Sequence, residues 1–156
     1  MSDPALRLET DVMDFLPLSS VPRDKEAVYV FDFDGVIASG IEDKIYRLAE
    51  TPLEKERLKE AEKELGLKIA GMDFRYRRHL VFQELAARKG LEIPVGPGLP
   101  LAQWVSQNAR FFILTARSGW AATERLRAFL VKHHLRPIDL YQVGRVLKDR
   151  QIKKIH

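Results

Sequence analysis

Val28-Tyr29-Val30-Phe31-Asp32-Phe33-Asp34-Gly35 is the stretch on which the fold turns. Its apolar run is rich in β-branched and aromatic residues and ends in acid and glycine, the pattern of a buried strand running out at its carboxyl end. Alternation along a strand sends residues i and i+2 to the same side, so Asp32 and Asp34 can converge on one spot. Open α/β sheets bind ligands at that end of their strands. Two clustered carboxylates repel unless a cation sits between them, and Mg²⁺ suits such an oxygen-only site. The plainer alternative is a pair of solvated acids at a strand terminus.

Outward from this strand the pattern turns helical, from Ile41 to about Asn108. Ile41, Ile45, Leu48 and Ala49 are spaced to share one helical face. Thr51-Pro52-Leu53-Glu54 supplies an N-cap, a proline at the first helical position and a capping-box glutamate. The helix it starts runs through Leu58, Ala61 and Leu65 to a stop at Gly66. Another, near Asp73 to Lys89, buries Val81, Phe82, Leu85 and Ala86 and stops at Gly90. A Pro/Gly-rich loop, Pro94 to Pro100, precedes a short helix marked by Leu101, Trp104 and Val105.

Phe111-Phe112-Ile113-Leu114-Thr115 reads as a second buried strand. Ser118 is placed to cap the following helix, whose Leu126, Phe129 and Leu130 face inward, and a third strand fits Leu140 to Val146. Strands separated by helices call for a parallel sheet with crossover connections. The expected fold is therefore α/β, a Rossmann-like parallel sheet with helices on both faces. Residues 28–40 and 99–156 form its core, 41–98 a helical insert, and 1–27, with Pro4, Pro17 and Pro22, an N-terminal extension.

Composition sets outer limits. The 156 residues are 46% hydrophobic and 31% charged, the balance of one globular domain. No apolar window approaches the roughly 18 residues of a membrane span, and the acidic N-terminus lacks the apolar core of a signal peptide, so a cytoplasmic location is expected. With no cysteine, chemistry must rest on carboxylates, hydroxyls, His, Lys or Arg. The net charge of +4 is uneven: −5 over residues 1–35, +2 over 36–116, +3 over 117–144 and +4 over 145–156. A basic C-terminal third can attract phosphates, yet no nucleic-acid-binding pattern accompanies it, so nucleic acid is the less favoured partner.

Taken together, the strand ending Asp32-Phe33-Asp34-Gly35 and the strand ending Thr115, followed by Ala116-Arg117-Ser118, resemble the first two motifs of the haloacid dehalogenase (HAD) superfamily. The resemblance covers about residues 28–156. It implies a HAD-like fold with residues 41–98 as a cap, and a Mg²⁺-dependent phosphate monoester hydrolase working through an aspartyl phosphate. Asp32 would be the nucleophile and Asp34 the general acid, then base. The carboxylate of Asp32 and the main-chain carbonyl of Asp34 would hold the metal. Thr115 would bond a phosphoryl oxygen, unless it only caps the next turn. Gly35, Ala116 and Arg117 are the further substrate-binding candidates, Arg117 either steering phosphate or pairing with Asp34.

The family's lysine is sought between Gly144 and Lys154, where Lys148 is preferred, Lys153 follows and Lys154 stands behind; at least two of the three must be surface charges. The fourth motif, an acid after a fourth strand, has no counterpart, since no acid follows Asp149. A fourth strand would lie beside the first, so its absence leaves an apolar edge. Truncation, a homodimer or cover by the N-terminal extension would each explain this, and truncation is the favoured expectation. Arg75, Arg77, Arg78 and His79 could reach the phosphate side or form a wet helical face, and His133 and His134 read as structural. The expected substrate is a phosphorylated small molecule. The alternative from another class is a non-catalytic binding module that needs a partner or further chain.

Overall fold

The computed structural model describes residues 27–69 and 71–142. Their elements follow the order β1 (Val28–Asp32), α1 (Ile41–Tyr46), α2 (Pro52–Leu65), α3 (Phe74–Arg88), α4 (Leu99–Asn108), β2 (Arg110–Thr115), α5 (Trp120–Lys132) and β3 (Asp139–Gln142). The strands form a parallel sheet of order β1-β2-β3, with Val28 opposite Arg110 and Asp32 opposite Leu114. The fold is thus α/β with a small three-stranded parallel sheet and, among the described residues, five helices. None of these helices is long and apolar enough to cross a membrane.

Strand alternation decides where the core lies. Phe31 and Phe33 share a face with Phe111 and Ile113, and this face packs against Ala102 and Val105 of α4 and Leu126, Phe129 and Leu130 of α5. Phe33 meets Phe129 edge-on, with ring centroids 5.2 Å apart. On the opposite face Phe112 stacks with Tyr141, both half-buried. Among the described residues, the helical cover expected on both faces is seen on the first. β1 is an edge of the described sheet, and its Val28, Tyr29 and Val30 are half-buried.

The insert has a smaller apolar cluster of its own, where Leu58 of α2, Ile69 and Val81 of α3 meet. Its helix ends follow the local chemistry: Thr51 accepts from the Glu54 N–H and Gly66 caps the far end of α2. Asp73 caps α3 by accepting from the Arg75 and Tyr76 N–H groups. The stems of the insert lie side by side, since the Ser39 N–H donates to the Pro94 carbonyl at 2.9 Å.

Two sequence expectations fail locally. In α1 the buried residues are Glu42 and Tyr46, while Ile41 and, two residues past the helix end, Leu48 are exposed. The apolar face expected from Ile41, Ile45, Leu48 and Ala49 is replaced by a polar one because α1 faces buried arginines rather than an apolar layer. Ser118 does not cap α5: Gly119 holds the N-cap position, and the Ser118 hydroxyl donates instead to the Tyr76 hydroxyl. The third strand matches its expected start, and the rest of that stretch, from 143 on, lies outside the described residues, as does the extension up to residue 26.

Candidate active site

The carboxyl ends of β1 and β2 lie side by side, tied past the last strand pair by the Phe33 N–H donating to the Leu114 carbonyl at 3.1 Å. Beyond Asp32 the chain turns back at once. The Gly35 N–H donates to the Ala38 carbonyl at 2.8 Å and the Ala38 N–H to the Phe33 carbonyl at 2.9 Å. Gly35 sits at φ +86°, a left-handed conformation that a Cβ would strain. The loop is then clamped from outside: the Gly96 and Gly98 N–H groups donate to the Ile37 and Val36 carbonyls at 2.8 and 2.7 Å. A Cβ on Gly96 would stand 2.4 Å from the Val36 carbonyl oxygen, so this approach requires glycine.

Asp34 emerges from that loop into an ion pair. Arg117 Nε donates to Asp34 Oδ1 and Oδ2 at 3.2 and 3.1 Å, and Arg117 Nη2 to Oδ1 at 2.7 Å. Of the two sequence readings of Arg117, the geometry supports pairing with Asp34. Its side chain is only 2% exposed, and its Nη1 donates to Glu42 Oε1 at 3.0 Å. Glu42 also accepts from Arg125 Nη1 and Nη2 at 2.8 and 3.0 Å, and Arg125 Nε donates to the Leu91 carbonyl at 3.1 Å. Gln83 of α3 donates to Glu42 and to the Tyr46 hydroxyl and accepts from Arg125. A buried chain of charges thus runs from the strand ends into the insert.

Electrostatics follow from this packing. Burial works to raise the Glu42 pKa, but the hydrogen bond from Arg125 and the charges of Arg117 and Arg125 hold it below the ordinary glutamate value. For Arg117 burial works downward, and the adjoining Asp34 and Glu42 overcome it and raise the pKa, keeping the guanidinium charged. Burial pushes the Tyr46 hydroxyl well above the usual tyrosine range. His79 is pushed the other way, below the ordinary histidine value, chiefly by burial, and its Nε2 lies 3.2 Å from both the amide N and the carbonyl O of Ser118.

These groups border a cavity of about 230 Å³, lined by Asp34, Ala116 and Arg117 from the strand ends and by Tyr46, Tyr76 and His79 from the insert. Thr115 is fully buried, and its Oγ1 accepts from the Arg117 N–H at 3.1 Å, so its hydroxyl does cap the turn after β2. Ala116 is exposed at the cavity, whereas the Gly35 N–H is spent within its own loop. Asp32 is exposed at the end of β1. Lys148, Lys153 and Lys154 lie outside the described residues.

The basic cluster on α3 separates into distinct roles. Arg75 reaches the cavity beside Asp43, 3.5 Å away. Arg77 makes a two-pronged pair with Glu62 at 2.7 and 2.9 Å. Arg78 donates to the carbonyls of Tyr46, Leu48 and Ala49, satisfying the open end of α1. Arg77 and Arg78 are therefore structural, and neither is part of a wet face, because Arg77 is largely buried against Glu62 and Arg78 is 7% exposed. His133 ends α5 with its ring 4.4 Å from that of Phe129.

Among the described residues no group of three or more His, Asp or Glu side chains is gathered as a metal set. The oxygen-only donors at the end of β1, the exposed Asp32 carboxylate and the Asp34 main-chain carbonyl, suit a hard cation that fills its other positions with water and phosphate. Glu42 and Arg125 are the site residues that sequence reasoning missed. A signal was present for Arg125, which interrupts the inward stripe Ala122, Leu126 and Phe129 at a core-facing position. Comparison with family models, with curated proteins and with solved structures finds no match.

Proposed function

We propose that this chain is a Mg²⁺-dependent hydrolase of phosphate monoesters with a HAD-like fold, in which residues 41–98 serve as a cap. The observation that carries this reading is the meeting of Asp32-Phe33-Asp34-Gly35 with Thr115-Ala116-Arg117 at the carboxyl edge of a parallel sheet, sealed by the Arg117–Asp34 ion pair. An Asp32 carboxylate oxygen attacks phosphorus, and the bond from phosphorus to the ester oxygen breaks as Asp34 gives that oxygen a proton. Asp34 then takes a proton from water, whose oxygen attacks the acyl phosphate, releasing phosphate and restoring Asp32. Mg²⁺, held by Asp32 and the Asp34 carbonyl, would supply charge neutralisation between nucleophile and phosphate. Thr115 is assigned to a phosphoryl oxygen by the resemblance alone, since its hydroxyl is buried and caps the turn after β2. Arg117 acts through Asp34, which it orients, and a lysine from the stretch 148–154 completes the counter-charge. The substrate in this reading is a compact phosphorylated metabolite in the cytoplasm rather than a nucleic acid, and of the strand-end residues Asp34, Ala116 and Arg117 line the cavity.

One observation favours a second reading, a binding module without turnover: both oxygens of Asp34 accept from Arg117, so the proton-transfer group is engaged. A single experiment decides between them. Hydrolysis of an aryl phosphate is measured with and without Mg²⁺, alongside Asp32→Asn. The enzyme reading expects turnover that needs both metal and Asp32, with a loss of at least about 10³-fold in the variant, as for a group that acts as the nucleophile. Turnover unaffected by Asp32→Asn, or none at all across a panel of phosphorylated metabolites, overturns it.

A further inference from the structure

Arg117 reaches Asp34 through one edge, Nε and Nη2, and is gripped at the other, Nη1, by Glu42. Glu42 belongs to α1, in the insert, and is itself fixed from two further directions. Arg125 of α5 donates to both of its oxygens, and Gln83 of α3 donates to Oε1 at 3.3 Å. All three charged partners are nearly free of solvent, with Arg117, Glu42 and Arg125 side chains 2%, 5% and 6% exposed. Two guanidinium groups and the carboxylates of Asp34 and Glu42 sum to zero charge, the condition under which such a cluster tolerates burial.

We infer that Glu42 is a positioning residue for Asp34: its carboxylate holds Arg117 so that one fixed edge of the guanidinium presents to Asp34. The catalytic half of this inference rests on the hydrolase reading above. Without the Glu42 charge, Arg117 keeps Asp34, while Arg125 is left with the Leu91 carbonyl and the Gln83 amide in place of a carboxylate. Arg117 then keeps at best a neutral acceptor in place of a charged one: an amide oxygen at the Oε1 position accepts from Arg117 Nη1 while its NH₂ is set against Arg125 Nη2, and the reversed amide sets its NH₂ against Arg117 itself. The insert thereby does more than roof the cavity, since it supplies the group that aligns the proton-transfer residue of the core.

The test uses Glu42→Gln and, should that variant not fold, Glu42→Asp, which keeps the charge but draws it back from Arg117. The first readout is the Arg117 Nε–H resonance in ¹H–¹⁵N NMR, assigned by its disappearance in Arg117→Lys. Its exchange with solvent is expected to quicken at least about tenfold in the variant. The second is aryl phosphate hydrolysis, where kcat is expected to fall at least about tenfold while KM stays within about threefold, since alignment rather than substrate binding is lost. An unchanged Arg117 resonance in a folded variant overturns the inference, and so does a quickened resonance with kcat intact. If the wild-type chain has no Mg²⁺-dependent turnover, the hydrolase reading falls, and the resonance alone then decides whether Glu42 holds Arg117.

Discussion

The molecule is held together in two different ways on either side of α5. Toward the sheet, α5 buries Leu126, Phe129 and Leu130 against Phe33 and its neighbours, in a cluster of apolar side chains with almost no exposed surface. Toward the insert, the same helix offers Arg125, which meets a glutamate and a glutamine. Apolar burial is strong and nondirectional, whereas a buried ion pair stabilises little on balance but fixes orientation and is costly to break from one side. The sheet side therefore supplies stability and the insert side supplies alignment.

The sharpest way to break this comparison is to remove one member of each side. Phe33→Ala deletes a ring with no solvent exposure, and a loss of about 3–5 kcal/mol is expected by urea denaturation. Leu58→Ala, in the insert's small cluster, is expected to cost only about 2 kcal/mol because half-buried neighbours can close on the gap. Comparable losses in the two variants would mean that the insert is no looser than the core.

On the ionic side, Arg125→Met keeps volume but strips Glu42 of one partner while Arg117 remains, so a loss of about 2–3 kcal/mol is expected. A double-mutant cycle with Glu42→Gln sharpens this: the pair removed together is expected to cost less than the two single losses summed. Additive losses would show that the two residues do not act as a unit.

The smallest effect is on pH dependence. The Glu42 pKa is lowered in the folded chain, so its stabilising contribution is fully present above the ordinary glutamate value of 4.5 and is lost as pH falls through the folded value below it. The stability gap between wild type and Glu42→Gln is therefore expected to be constant near neutrality and to narrow only below about 4.5, followed through urea midpoints from pH 7 to 3. A gap that narrows above that value would contradict the sign of the shift.

Much of this architecture was legible in the sequence. Buried parallel strands are nearly continuous apolar runs, so Val28–Asp32 and Arg110–Thr115 stood out, and the Thr51 and Gly66 signals marked α2. The strand ends also told which residues would meet, because the carboxyl edge of a parallel sheet gathers them. The face of α1 was illegible for a physical reason. Periodicity assigns apolar residues inward, and in a six-residue helix the buried arginines facing Glu42 and Tyr46 outweighed Ile41 and Leu48. Ionic partners as far apart in sequence as Glu42 and Arg125 leave no local pattern, since each taken alone resembles a surface charge.

The adjoining stems of the insert bear on how the chain could be rebuilt. Ser39 and Pro94 are hydrogen-bonded neighbours, and Ala38 bridges to Val95. Everything between residues 41 and 92 therefore leaves and re-enters the molecule at one doorway, narrow enough for a short turn to span. A miniature keeping the sheet, α4 and α5 is a reasonable engineering target, but it would inherit an orphaned positive charge. Any such shortened chain must exchange Arg125 for an apolar residue in the same step, and would carry Asp34 without the helix whose Glu42 holds Arg117 against it.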